Sequence, residues 1–221
     1  MEIVFGTTNK RKEEDLQNLI NLLNVRNIRI LSMSDIGWDR GEIVENGRTI
    51  EENSLIKANA IREFCKEKNL NYSIITDDAG LFCDALEGEP GIYTARYADD
   101  EISNDPSLPK HQSIYKLLRN LENKQTRSAQ YKCAVTYMYP NGDFFQEVGQ
   151  SKGRIAKEFS GEPKKPYLYG VFILDGTEIP FRDVTDENVL KQTYRYQALR
   201  AVLSRVLDLN QEKDNDDELE L

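Results

Sequence analysis

Asp77 and Asp78 follow directly on the apolar run 72–76, which reads as a short strand. In open α/β sheets, active sites gather at the carboxyl ends of strands. Adjacent carboxylates repel each other, and a hard cation held between them relieves that repulsion. Magnesium suits the role, because it takes oxygen from one or two carboxylates and completes its shell with phosphate and water. The plainer reading is a turn in which one aspartate bonds its own backbone.

Three other segments carry residues suited to an anion. Thr7, Thr8, Asn9 and Lys12 lie where a strand end enters a helix, and backbone amides at a helix N-terminus cradle phosphate. A helix cap with a solvated basic run accounts for the same residues, and the glycine pattern of a P-loop is missing. Glu45, Asn46 and Gly47 precede Thr49 and Glu52, a capping-box spacing, and Asn53 and Lys57 share a face four residues apart. On its own that segment is a capped surface helix. The stretch 86–97 turns at Pro90-Gly91, and its Thr94 and Arg96 either face a cleft or brace the turn.

The elements that must position these residues follow from periodicity. Strands are expected over 2–6, 27–32 and 72–76, and a helix over 12–24 with Leu16, Leu19, Ile20 and Leu23 on one face. A long helix is expected over 49–68, with Ile56, Ala60 and Phe64 turned inward. Residues 100–109 read as polar and turn-rich, ahead of a helix over 110–123. A hairpin over 130–139 and 143–149 turns at Pro140-Asn141-Gly142; a strand over 167–174 and a helix over 187–208 follow. Interleaved helices, strands and hairpins predict a mixed α/β sheet.

The 221 residues suffice for one substantial domain without a disulfide or metal staple. Cys65, Cys83 and Cys133 are scattered and His111 is the only histidine, which argues against a zinc site or a disulfide framework and makes reduced, cytoplasmic thiols the expectation. A net charge of −9 disfavours polymeric nucleic acid as a partner. No apolar stretch approaches the roughly 18 residues of a membrane span, and nothing near Met1 reads as a signal peptide. Residues 1–210 read as a single domain. Residues 211–221, with six acids and one lysine, read as a disordered, solvated tail.

Taken together and in order, the stretches TTNKRK (7–12), ENGRTIEENSLIKA (45–58), TDDAGLFCDALEGEPGIYTARYA (76–98) and GQSKGRI (149–155) resemble the inosine triphosphate pyrophosphatase family. The resemblance implies an elongated mixed α/β sheet with two lobes around a central cleft, commonly a homodimer. It implies hydrolysis of ITP, dITP or XTP to the monophosphate and pyrophosphate, with Mg2+ as cofactor. Thr7, Thr8, Asn9, Lys12 and Lys57 would hold the triphosphate, with Ala79 standing where the family has serine. Glu45, Asp77 and Asp78 would serve the metal, and Asp78 would also accept the proton of the attacking water.

The last third departs from the family. Its GFGYDP-type segment becomes 165–170 here, leaving Tyr167 or Tyr169 to stack on a base. Its late Ser-His-Arg, which the resemblance assigns with that segment to gripping the purine base, becomes Thr193-Tyr194-Arg195, and Lys191 is the nearest counterpart of a lysine ahead of that motif. An aromatic pocket of Tyr167, Tyr169, Tyr194 and Tyr196 is one reading; ordinary packing of these rings is the other. Base discrimination rests on hydrogen bonds to exocyclic groups, so a different or modified nucleotide substrate, or a nucleotide-binding relative without turnover, are the alternatives.

Overall fold

The computed structural model describes residues 1–22 and 28–219, with the side chains of 10, 11, 15, 22 and 208–219 excepted. Leu23, Asn24 and Asn27 of the expected elements lie outside the described residues, as do residues 220 and 221. The chain divides into two compact units, Met1–Asp78 with Ala134–Val148 and Arg195–Leu221, and Ala79–Cys133 with Gly149–Tyr194.

In the first unit, strand β1 (Glu2–Phe5), helix α1 (Lys10–Leu22) and strand β2 (Arg29–Leu31) form a parallel βαβ turn, with Ile3 opposite Ile30. Strand β3 (Ser73–Cys83) lies on the other side of β1, also parallel, with Ile3 opposite Ser73. Leu16, Leu19 and Ile20 of α1 are buried, as their spacing requires. Helix α2 (Ile50–Glu67) is opened by Thr49, whose hydroxyl accepts from the Glu52 amide at 3.1 Å. The Glu52 carboxylate accepts from the Arg48 amide at 2.6 Å, one residue ahead of the usual capping-box partner.

The inward face of α2 differs from the expectation. Phe64 is fully buried, but Ile56 and Ala60 are only half-buried, and the inner stripe is Asn53, Ser54, Lys57, Ala58, Ile61, Phe64 and Cys65. Three polar residues hold positions that hydrophobic periodicity assigns to solvent. Ser54 explains part of this: its hydroxyl meets the Thr136 hydroxyl at 2.7 Å and donates to the Thr76 carbonyl at 3.1 Å.

Strand β3 is also longer than expected. Eleven residues carry it past Thr76 and through both acids to Cys83, because its second half has a partner of its own in strand β4 (Pro90–Gly91), with Leu81 opposite Gly91. Asp77 and Asp78 are therefore strand residues. Successive side chains of a strand point to opposite faces, so the two neighbours meet different surroundings.

In the second unit, short helices α3 (Asp99–Asn104) and α4 (Gln112–Asn120) replace the loop and longer helix expected there. Strands β5 (Ser128–Met138) and β6 (Phe144–Ile155) run through both units and join at the predicted turn, where Tyr139 N–H donates to the Asp143 carbonyl at 2.8 Å. The sheet order is β2-β1-β3-β5-β6-β7, with β7 (Phe172–Leu174) antiparallel to β6. Parallel and antiparallel pairs together make the mixed sheet that the alternation of elements predicts.

Two elements near the C-terminus need correction. Residues 167–170 form a 3-10 turn rather than the first half of a strand, for Pro166 offers no amide to a sheet ladder. The expected helix over 187–208 is broken into α5 (Glu187–Leu190) and α6 (Tyr194–Leu219), where the Thr193 hydroxyl closes on the Leu190 carbonyl at 2.7 Å. The backbone of α6 runs beyond residue 208 into the acidic segment. Gln, Glu and Lys there are good helix formers and no proline or glycine intervenes.

Candidate active site

The Asp77 carboxylate is 1% exposed and receives the Lys12 ammonium on both oxygens, at 2.9 and 3.0 Å. Arg195, from the start of α6, donates to the same carboxylate at 2.6 Å. Burial raises the cost of ionising Asp77, but Arg195, Lys12 and Lys57 together outweigh it and hold the group well below the usual carboxylate range. The resemblance suggested a metal ligand or its support at this position; in the structure Asp77 is the counter-ion of two cations drawn from α1 and α6.

Asp78 faces a different set. Asn53 donates its Nδ2 to Asp78 Oδ2 at 3.0 Å, and Lys57 Nζ lies 3.9 Å from Oδ1. The same ammonium stands 3.2 Å from the Glu45 carboxylate. Glu45 and Asp78 thus share one cation, although they are 33 residues apart in sequence. Asn53 is 1% exposed, and its orientation is settled by Gly47, whose backbone N–H donates to Asn53 Oδ1 at 2.8 Å. An N–H can only donate, so the Asn53 amide nitrogen must face Asp78. A Cβ at position 47 would lie 2.7 Å from Asn53 Oδ1, which is why this approach needs glycine.

These contacts yield a prediction. Asn53→Ala removes a donor from Asp78 and leaves the Gly47 amide without its partner. A loss of about 1–3 kcal/mol in stability is expected. Turnover should fall by about tenfold or more as the Asp78 carboxylate loses its fixed orientation. Chemical unfolding and steady-state kinetics on one preparation check both numbers.

The segment at the start of α1 is built around Thr7. Its hydroxyl accepts the Asn9 amide at 3.1 Å, and the Asn9 carbonyl accepts Lys12 and Glu13 amides at 2.9 and 3.3 Å, which begins the helix. Thr7 is buried, whereas Thr8 and Asn9 present their side chains to solvent. Gly6 lets this turn pass close over the sheet, since a Cβ there would sit 2.4 Å from Ile61 Cδ1 and 2.7 Å from Thr76 Cγ2. Thr7, Lys12, Glu45, Lys57, Asp77, Asp78 and Arg195 all belong to the first unit.

Tyr196 is half-buried and belongs to the first unit, and the other remaining candidates lie in the second. Tyr194 is 2% exposed and stacked on buried Tyr131 at 5.2 Å, and its hydroxyl is hydrogen-bonded to that of Tyr169. Tyr169 meets Tyr131 edge-on at 5.0 Å. Both rings are core residues of an aromatic cluster that includes Phe172 and Phe181, which is the packing alternative of the sequence reading. Tyr167 is half-buried, with its edge 6.1 Å from the His111 ring centre to centre. Lys191 is engaged by Glu187 at 3.0 Å, a helical i,i+4 pair. Ala79 is half-buried in β3, and Thr94 accepts the Leu81 amide at 2.7 Å and donates to the Gly91 carbonyl at 2.6 Å, so it braces the turn.

Asn53 and Gly47 are the site residues to which the sequence assigned no role. The available signal was the polar run Asn53-Ser54 with Lys57 on the inner stripe of a helix whose next turns are apolar. Among the described residues no three Asp, Glu, His or Cys side chains form a ready-made metal cluster.

A buried acid between two cations, beside a second acid that shares a lysine with a distant glutamate, suits a small polyanion and a hard metal. Comparison with known proteins decides the lineage. The family model described as Ham1 family matches residues 3–205. The chain belongs to the Ham1 family. Proteins named dITP/XTP pyrophosphatase from Bacillus subtilis and Thermoanaerobacter pseudethanolicus are 31% and 32% identical to it, over 94% and 96% of this chain and 97% and 100% of theirs. The Staphylococcus aureus Ham1 protein superposes with a TM-score of 0.76 at 28% identity, covering 94% of this chain and 99% of its own. A nucleoside-triphosphatase, dITP/XTP pyrophosphatase, of Mycobacterium abscessus superposes with a TM-score of 0.68 at 27% identity, over 93% and 100% of the two chains. The mixed α/β fold of this Ham1 chain is that of these structures.

Proposed function

We propose that this Ham1 protein hydrolyses non-standard purine nucleoside triphosphates of the dITP and XTP type to the monophosphate and pyrophosphate. The relatives named for that activity support the substrate class. The observation that carries the reaction is the division of labour between adjacent acids: Asp77 is committed to Lys12 and Arg195, while Asp78 is held by Asn53 and Lys57 beside Glu45.

A divalent cation fits the donor set at Glu45 and Asp78. Both are carboxylates, the donors a hard ion prefers, and both already converge on a single positive charge at Lys57 Nζ. Bound there, magnesium would neutralise charge developing on phosphate oxygens. Asp78 accepts a proton from the attacking water as its oxygen bonds to the α-phosphorus, and the bond from that phosphorus to the α–β bridging oxygen breaks. The electron pair leaves with pyrophosphate. Asn53 holds Asp78 in one orientation throughout. Lys12 and Lys57 attract the triphosphate, and Thr7, Thr8 and Asn9 border it at the start of α1. The homodimer is carried by the resemblance, and the cytoplasmic location by the scattered pattern of Cys65, Cys83 and Cys133 in the sequence.

The test is a panel of nucleoside triphosphates incubated with the protein and magnesium, with products separated by anion exchange. Pyrophosphate and monophosphate in equal amounts are expected, fastest for dITP, ITP and XTP. Orthophosphate and diphosphate would move the cut to the γ-phosphate and defeat the proposal.

A further inference from the structure

The late arginine of this chain answers to one that the resemblance assigns to the purine base, and in the structure it donates to the acid that holds Lys12. We infer that Arg195 is a positioning residue for the polyphosphate, acting through Asp77 on Lys12, and that its contribution is independent of the base. This rests on the pyrophosphatase reading given above.

Charge counting shows why a second cation is needed. Asp77 is almost fully enclosed, so water does little to screen it, and Lys12 meets both of its oxygens. Those two charges alone cancel, and a cancelled lysine attracts a triphosphate weakly. Arg195 brings the trio to a net +1 and competes for Oδ2, which Lys12 also contacts, at 2.6 Å against 3.0 Å. Its geometry is shielded too, with only 13% of the side chain exposed. Lys12 is the more exposed cation, at 24%, and is the member placed to reach an anion. Arg195 and Lys12 descend from opposite ends of the sequence, α6 and α1, and β3 brings their shared acid between them.

The experiment uses the full-length protein with magnesium and inorganic tripolyphosphate, a ligand with phosphates and no base. Calorimetry measures its Kd for wild type, Arg195→Ala and Arg195→Lys, and steady-state kinetics compares triphosphates that differ only in the base. Arg195→Ala should weaken tripolyphosphate by about tenfold or more and raise KM by a similar factor for every base. Arg195→Lys, which keeps the charge, should recover most of that loss. Arg195→Gln retains a donor toward Asp77 and removes only the charge, and it carries the test if the alanine variant does not fold. An unchanged tripolyphosphate Kd, with the kcat/KM ratio between bases altered, would overturn the inference and return Arg195 to base recognition. A wild-type protein that neither binds tripolyphosphate nor releases pyrophosphate would overturn the function reading as well.

Discussion

Asp78→Asn is expected to lower kcat by about 10²–10⁴, the range that general-base catalysis supplies, with little change in stability. The replacement is close to isosteric, and an asparagine oxygen at position 78 can still accept from Asn53, which now donates at 3.0 Å. Lys57 keeps Glu45 at 3.2 Å. What disappears is the negative charge and the capacity to take a proton. Rapid-quench measurement of pyrophosphate release, beside a thermal melt, reads both quantities. Activity within a factor of about three of wild type would remove Asp78 from the chemistry. A loss accompanied by a large drop in Tm would show that the carboxylate is needed for folding instead.

Asp77→Ala should do the opposite: it should damage the fold first. Removing one partner of a buried ion pair strands the charges left behind, at a cost of about 3–5 kcal/mol. Lys12 and Arg195 retain some exposure, 24% and 13%, so water relieves part of that cost and the lower end is expected. In a chain of this size each kcal/mol moves Tm by about 2–4 °C. The pH dependence separates the ion cluster from a simple packing defect. Asp77 has its folded pKa depressed below the unfolded value of about 3.9. Its contribution is therefore complete above that unfolded pKa and is lost as pH falls toward the folded one. Urea unfolding at neutral pH and near pH 3 should show the gap between wild type and variant narrowing in acid. A gap that stays constant would trace the loss to packing.

Much of the scaffold was legible in the residues. The spacing of Leu16, Leu19 and Ile20, the Thr49 cap and the Pro140-Asn141-Gly142 turn are local signals, read within one or two turns of chain, and the structure realises each. Errors arose where a partner remote in sequence decides the outcome. Nothing near Asp77 announces that β3 continues, because its continuation depends on β4. Polar residues on the inner face of α2 look misplaced until Thr136, Thr76 and Asp78 arrive opposite them. Tyr169 and Tyr194 look like exposed base partners until Tyr131 is set against both.

The kinds of residue available for chemistry, and the segments that carry them, were determined by sequence alone: two adjacent acids, lysines in two helices, and a glutamate ahead of a capped helix. Which acid does what was not. Adjacent strand residues point to opposite faces, and only the folded chain shows which face α1 and α6 supply with cations and which face α2 lines with Asn53 and Lys57. A side chain's charge is written in its type; its partners, its burial and hence its pKa belong to neighbours tens of residues away that tertiary packing brings within 3 to 4 Å.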